Sequence, residues 1–204
     1  MTNIKDMLLD VLAPVRDIYL ARLLEEMSEA YGAGYDVETE VVARQSDGAL
    51  LRAGPLALPM RRDLRMIDRD GRMESDVTGD LGVSFDRVRL CDETGCEVEI
   101  TPFQWDTLEL DIQLGPDASS WQPLRLWFLE WFQTRFNEDL PDFKGVVHAL
   151  SGPDLIDGRW WAQIDLGSAP VDAFDKLITA LGDCGARSVF CHASSKVHVP
   201  RSHG

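Results

Sequence analysis

"RWWAQIDLGSAPVDAFDKLITALGDCGARSVFCH", residues 159–192, reads as strand, helix, strand. Residues 159–166 alternate, with Trp160, Ala162, Ile164 and Leu166 on one face and Trp161, Gln163 and Asp165 on the other. Gly167 and Ser168 stop the strand. Ser168 is placed to cap a helix over 169–181, and Pro170 sits in its first turn, where a missing N–H is harmless. Gly182 ends the helix and "ARSVFCH" follows as a strand. A single short crossover of this kind requires the two strands to run parallel, with a right-handed connection. The unit therefore predicts a sheet with helix on one face and, from the alternation, a second face that meets water.

Working outward, "GVVHAL" (145–150) reads as a strand and "SGPDLIDG" (151–158) as the loop that follows it. "WQPLRLWFLEWFQTRF" reads as a helix over about 121–138, with Ser119 or Ser120 as cap and Pro123 in its first turn. Its stripe of Leu124, Trp127, Phe128, Trp131, Phe132 and Phe136 is bulky enough to anchor a core, a simpler account than an aromatic ligand box. Residues 83–114 read as a three-stranded meander over 83–91, 96–101 and 107–114.

The meander's register follows from its faces. Val88 and Leu90 belong inside with Val98 and Ile100, so Leu90 must oppose Val98 and Val88 must oppose Ile100. That leaves the loop Glu93-Thr94-Gly95, with glycine where a type I turn plus bulge needs it. Cys91 then points outward and Cys96 inward, so the two are neither bridged nor co-ligands. A one-residue slip would bury Arg87 and Arg89, at a cost of several kcal/mol. Pairing the second strand with the third, Ile100 opposite Leu108, sets Glu99 facing Glu109 and Glu97 facing Asp111 on the outer face, with Arg87 and Arg89 on one flank.

At the N-terminus, Ile4, Leu8, Val11, Ile18, Leu23, Leu24, Met27 and Tyr31 recur at helical spacing over 3–31, with Pro14 predicting a kink or a break. Residues 35–80 read as hairpins: "YDVETEVVA" returning through "ALLRA", then "LRMI-DRDG-RMES". The class is α+β: a mostly antiparallel sheet, built from the meander and a ββαβ unit, packed on one face by two helices and preceded by an N-terminal helical segment. Residues 1–195 form one domain, with a subdomain break expected near 75–82 and a loose tail over 196–204.

The chain has 35 acidic and 20 basic residues for a formal charge of -15, of which -8 falls in residues 81–140. Such a balance repels nucleic acid and anionic lipid and attracts basic partners. No apolar run reaches the roughly 20 residues needed to span a bilayer, and the N-terminal stretch is interrupted by acids, unlike a signal peptide. These features fit a cytoplasmic, bacterial protein with reduced cysteines. No C-x-x-C, P-loop, G-x-G-x-x-G, H-E-x-x-H or G-x-S-x-G occurs. No cofactor and no metal are expected, and the absent motifs weigh against an enzyme.

Two sets of candidate residues remain. Glu97, Glu99, Glu109 and Asp111, with Trp161, form a surface for docking a basic protein. His148, Asp165 and Ser168 would line a ligand site if the chain were an enzyme or ligand-binding domain with a pocket between the sheet and the 35–80 hairpins. His148 itself reads more simply as a satisfied core histidine. The leading expectation is a non-catalytic protein-binding module, immunity-like or adaptor-like. Small acidic α+β immunity proteins against basic nuclease toxins share this composition, though no motif supports the comparison. A homodimer through the wet sheet face is a third reading.

Overall fold

The computed structural model describes residues 4–67, 71–76, 82–116, 118, 120–133 and 142–193. The expected tail, Ser119, the last part of the 121–138 helix with Phe136, and residues 77–81 of the expected break lie outside these.

The chain is α+β. Helix α1 (Ile4–Gly32) is followed by β1 (Asp36–Val42), β2 (Arg52–Ala53), β3 (Leu58–Pro59), β4 (Arg61–Ile67) and β5 (Arg72–Ser75). Then come β6 (Val88–Cys91), β7 (Glu97–Ile100), β8 (Leu108–Leu114), α2 (Gln122–Trp131), β9 (Ala149–Ile156), β10 (Arg159–Asp165), α3 (Val171–Asp183) and β11 (Ala186–Ala193). The main sheet has the order β6-β7-β11-β8-β10-β9, a smaller one β1-β4-β5, and β2-β3 form a ribbon.

β6 and β7 pair as their faces require, Val88 opposite Ile100 and Leu90 opposite Val98, and Gly95 closes the turn at φ 85. β7 and β8, however, are not neighbours. β11 lies between them, parallel to β7 and antiparallel to β8. The expected facing pairs Glu99–Glu109 and Glu97–Asp111 are therefore wrong. Residues 101–107 are the reason. They carry the buried Phe103 and Trp105 and reach across the extra strand, whereas a tight hairpin would have forced β7 against β8. Thr101 stays tied to β11 through its N–H to the Cys191 carbonyl, 2.9 Å. β10 and β11 run parallel, as the crossover requires, with β8 between them.

Four further expectations are corrected. "SGPDLIDG" is not a loop: β9 runs to Ile156, and Asp157-Gly158 turn directly into β10 with φ 48 and 82, the pattern of a type I′ hairpin. Pro153 is tolerated because β9 is the last strand of its sheet. β1 pairs chiefly with β4, and the expected return is a short hairpin at the Arg44–Leu50 bridge, with the Gln45 N–H on the Ala49 carbonyl at 2.8 Å and the Leu51 N–H on the Ala43 carbonyl at 3.0 Å. Ser168 does not cap α3, whose N-cap is Pro170 without a side-chain bond. α1 is one helix through Pro14, one of the two expected alternatives, but its buried stripe is Leu8, Leu12, Val15, Tyr19, Leu23 and Met27, while Ile18, Leu24 and Tyr31, expected on that stripe, are exposed.

The inner face of the main sheet joins α1, α2 and α3 in one core. Val98, Ile100, Leu110, Ile112, Ile164 and Val189 meet Leu124 and Phe128 of α2 and Phe174 and Leu177 of α3. Each such side chain contributes about 1.5–3 kcal/mol by leaving water, so the strand faces cannot invert. No helix among the described residues is long and apolar enough to cross a membrane.

All four cysteines are free; Cys91 is exposed, and Cys96, Cys184 and Cys191 are buried. Burial pushes the Cys96 thiol up to about 12 and raises Cys184 and Cys191 as well. One thiol per folded chain should react rapidly with a thiol-titrating reagent, and Cys91→Ser should abolish that phase. A second fast thiol that Cys96→Ser removes would contradict the β6–β7 register.

Candidate functional site

The open face of the main sheet is built by register. Directly opposed residues share a face, so β11 threads a row across the sheet: Arg89, Glu99, Phe190, Asp111, Trp161 and Asp154. Phe190 lies between two carboxylates about 10 Å apart, two strand spacings. Glu99 is half-buried and holds Arg87 at 3.2 Å and Arg89 at 2.8 Å. Asp111 lies 3.6 Å from His192, whose ring stacks on Phe190 with centroids 4.7 Å apart. A concavity of about 780 Å³ opens here, its lining including Glu97, Glu99, Asp111, Phe190, Arg89 and Arg159.

Of the expected docking residues, Glu97 is exposed, Glu99 and Asp111 flank Phe190, and Trp161 is half-buried next in the row. Glu109 does not belong to the surface. It is buried beside His192. Phe190 was missed because its importance depends on the insertion of β11.

The second set converges elsewhere. His148 precedes β9 and sits on the seam between the two sheets. Its N–H donates to the Asp165 carbonyl of β10, and its carbonyl accepts from the Arg61 N–H of β4, both at 2.9 Å. Its side chain is fully buried. Nε2 lies 2.8 Å from Glu40 Oε1. Nδ1 lies 2.9 Å from Asp63 Oδ1 and 3.6 Å from Asp165 Oδ2, yet meets neither in hydrogen-bond alignment.

Glu40 from β1 and Asp63 from β4 occupy facing positions, between the pairs Thr39–Leu64 and Val41–Arg62. Glu40 has φ 50, rare for a residue with a side chain, and is fully buried. That backbone turn directs its carboxylate inward. Oε1 accepts the Ser168 N–H at 3.2 Å, and Oε2 accepts the Lys144 N–H. Asp63 Oδ1 also accepts from the Tyr19 hydroxyl at 2.6 Å. Ser168, although no helix cap, accepts the N–H groups of Gly145 and Val146 at 2.9 and 3.3 Å. Arg16, Arg61 and Lys144 ring the cluster and donate to backbone carbonyls: Ser168 and Ala169, Glu40 and Phe132, and Thr39 and Glu40 respectively.

The electrostatics reflect burial set against close charges. Burial alone would lower the His148 pKa, but the Asp165 charge and the contacts with Asp165, Asp63 and Glu40 hold it well above the ordinary value. Burial alone would raise Glu40, but its bonds, led by that with His148, bring it below the usual carboxylate range. Burial raises Asp165, with His148 opposing. Burial, with the Asp165 charge behind it, pushes Asp106 up to about 7. Tyr19 is raised by burial and by the Asp63 charge.

Sequence reasoning found His148, Asp165 and Ser168 and missed Glu40, Asp63 and Tyr19. Strict alternation in "YDVETEVV" places Glu40 outside with Glu38; the positive φ that turns it inward leaves no compositional trace. No protein-family model, curated protein or solved structure matches this chain.

Gly167, at φ 51, lies so close that an added Cβ would sit 2.3 Å from His148 Cδ2 and 2.5 Å from the Val146 carbonyl oxygen. The imidazole, fixed by Glu40, cannot yield. Gly167→Ala should cost about 3 kcal/mol from the left-handed backbone and the clash together, lowering Tm by roughly 6–12 °C. Gly158→Ala, also at positive φ but facing open space, should cost about 1–2 kcal/mol. Equal losses in thermal denaturation would show that neither the ring nor the Val146 carbonyl is held rigidly.

Proposed function

We propose that this chain is a non-catalytic, cytoplasmic protein-binding module that docks a basic partner on the open face of its main sheet. The observation that carries this reading is Phe190 seated between Glu99 and Asp111 in the lining of the concavity. An aromatic face attracts a guanidinium or ammonium by about 0.5–2 kcal/mol, and carboxylates on either side complete the recognition. Asp154 and half-buried Trp161 extend the same alternation of acid and ring. Arg87 and Arg89, both largely exposed, already place guanidiniums on Glu99. Exposed pairs of this kind contribute 0–1 kcal/mol, so a partner's cation can displace them.

The magnitudes decide how binding is divided. Charge alone gives little affinity at an exposed site, but a net -15 steers a basic partner and speeds its arrival. Residence depends on the aromatic contact and the area covered. Association should therefore be sensitive to salt, and dissociation sensitive to Phe190.

The convergence of His148, Asp165 and Ser168 favours a second reading, a small enzyme or ligand-binding domain. It is weaker because Glu40, His148 and Ser168 are fully buried, and only Asp165 among the sequence-derived three is partly exposed.

The test is surface plasmon resonance with an arginine-rich peptide and neutral and acidic peptides of equal length. The intact chain should bind the basic peptide alone, more weakly at high salt. Phe190→Ala should weaken binding about tenfold, mainly through faster dissociation, and Glu97→Gln with Asp111→Asn should slow association. Absence of binding at low salt would overturn the proposal, as would equal binding by every variant. A dimer in light scattering that Phe190→Ala converts to monomer would assign the face to self-association instead.

A further inference from the structure

We propose that His148 Nδ1, Asp63 and Asp165 form a binding site for one divalent first-row transition ion at the seam between the two sheets. One ligand atom from each residue lies within 4.8 Å of the others. The separations from Nδ1, 2.9 Å to Asp63 and 3.6 Å to Asp165, bracket the spacing of ligands that share an ion. Ligand atoms about 2.1 Å from a common metal lie roughly 2.9–3.4 Å apart.

An independent feature distinguishes this cluster from a group of acids. Nδ1 belongs to a side chain with no solvent exposure and, among the described residues, has no aligned hydrogen-bond partner, yet two carboxylates lie within 3.6 Å of it. The other ring nitrogen is held by Glu40 at 2.8 Å. A carboxylate accepting Nε2–H fixes the tautomer that leaves the Nδ1 lone pair directed at the ion, the outer-shell arrangement typical of metal-bound histidine. Glu40 is itself fixed by the N–H groups of Ser168 and Lys144. The Tyr19 hydroxyl donates at 2.6 Å to Asp63 Oδ1, the same oxygen that lies 2.9 Å from Nδ1, and fixes its position.

Charge balance supports the assignment. Arg16, Arg61 and Lys144 lie around Glu40 and offset its charge, while Asp63 and Asp165 share the one imidazole, and buried negative charge requires compensation. A dication between Asp63 and Asp165 supplies it and displaces a proton from Nδ1 to solvent. The donor set, one imidazole nitrogen and two carboxylate oxygens, suits zinc or manganese better than magnesium or calcium. Asp165 accepts the Gly167 N–H on Oδ1 at 2.9 Å, which leaves Oδ2 on the Nδ1 side, and its side chain, 22% exposed, marks the entry side. The ion would tie β4 of the small sheet to β10 of the main one.

The experiment uses the full chain, stripped with a chelator and titrated with zinc, manganese, magnesium and calcium. Bound metal, Tm and the imidazole nitrogen spectrum are followed. Uptake of one zinc or manganese per chain, a higher Tm and a shift of His148 Nδ1 are expected. Asp165→Asn should fold like the stripped parent and bind the ion at least tenfold more weakly, and Glu40→Gln should lose ten- to a hundredfold. Glu97→Gln with Asp111→Asn should bind metal like the parent. Absence of zinc and manganese uptake would overturn the site, as would retention of the Nδ1 proton at saturating metal. Uptake unchanged in Asp165→Asn, or equal uptake of calcium, would do the same.

Discussion

The position of β11 governs this molecule. The strand enters between β7 and β8, parallel to one and antiparallel to the other, and its alternation satisfies both faces. Val189 and Cys191 complete the core while Ser188, Phe190 and His192 reach the open side. Without it the core would lose its central strand, and Glu99 would face Glu109 directly, an unfavourable like-charge pair. With it, an aromatic ring separates the carboxylates. The same insertion thus stabilises the sheet and gives the open face the form on which the docking proposal rests.

The second constraint is the joining of two sheets that share no strand. His148 supplies main-chain bonds to both, to Asp165 of β10 and to Arg61 of β4. Its side chain draws Glu40, Asp63 and Asp165 into one buried cluster. A polar network at such a depth is stabilising only if its members are satisfied, and most are. Backbone N–H groups and the Tyr19 hydroxyl serve the carboxylates, and Arg16, Arg61 and Lys144 close off nearby carbonyls. Nδ1, without an aligned partner among the described residues, is the exception, and it motivates the metal proposal. Gly167 permits the arrangement by leaving the ring its space.

Local pattern in the sequence was informative where one face was buried and one wet. The α+β class, the β6–β7 register, the fate of the cysteines and the parallel direction of β10 and β11 all follow from alternation and turn chemistry. What alternation cannot encode is which strands become neighbours. The signal for β11 was present in residues 101–107, too long for a tight turn and carrying Phe103 and Trp105, but its meaning depends on the rest of the sheet. Pro153 similarly concealed β9, because a proline is compatible with a strand only at an edge. His148, Asp165 and Ser168 were recognisable as unusual residues near a junction. Glu40 and Asp63 were not, since a single backbone angle reverses the face on which Glu40 lies.

The central claim is the strand order β7-β11-β8, and amide and α-proton nuclear Overhauser contacts test it directly. The account predicts cross-strand contacts from the Phe190 backbone to both Glu99 and Asp111. Direct contacts between Glu99 and Glu109 would instead restore a simple meander, and the aromatic–acid row, with the function inferred from it, would be contradicted.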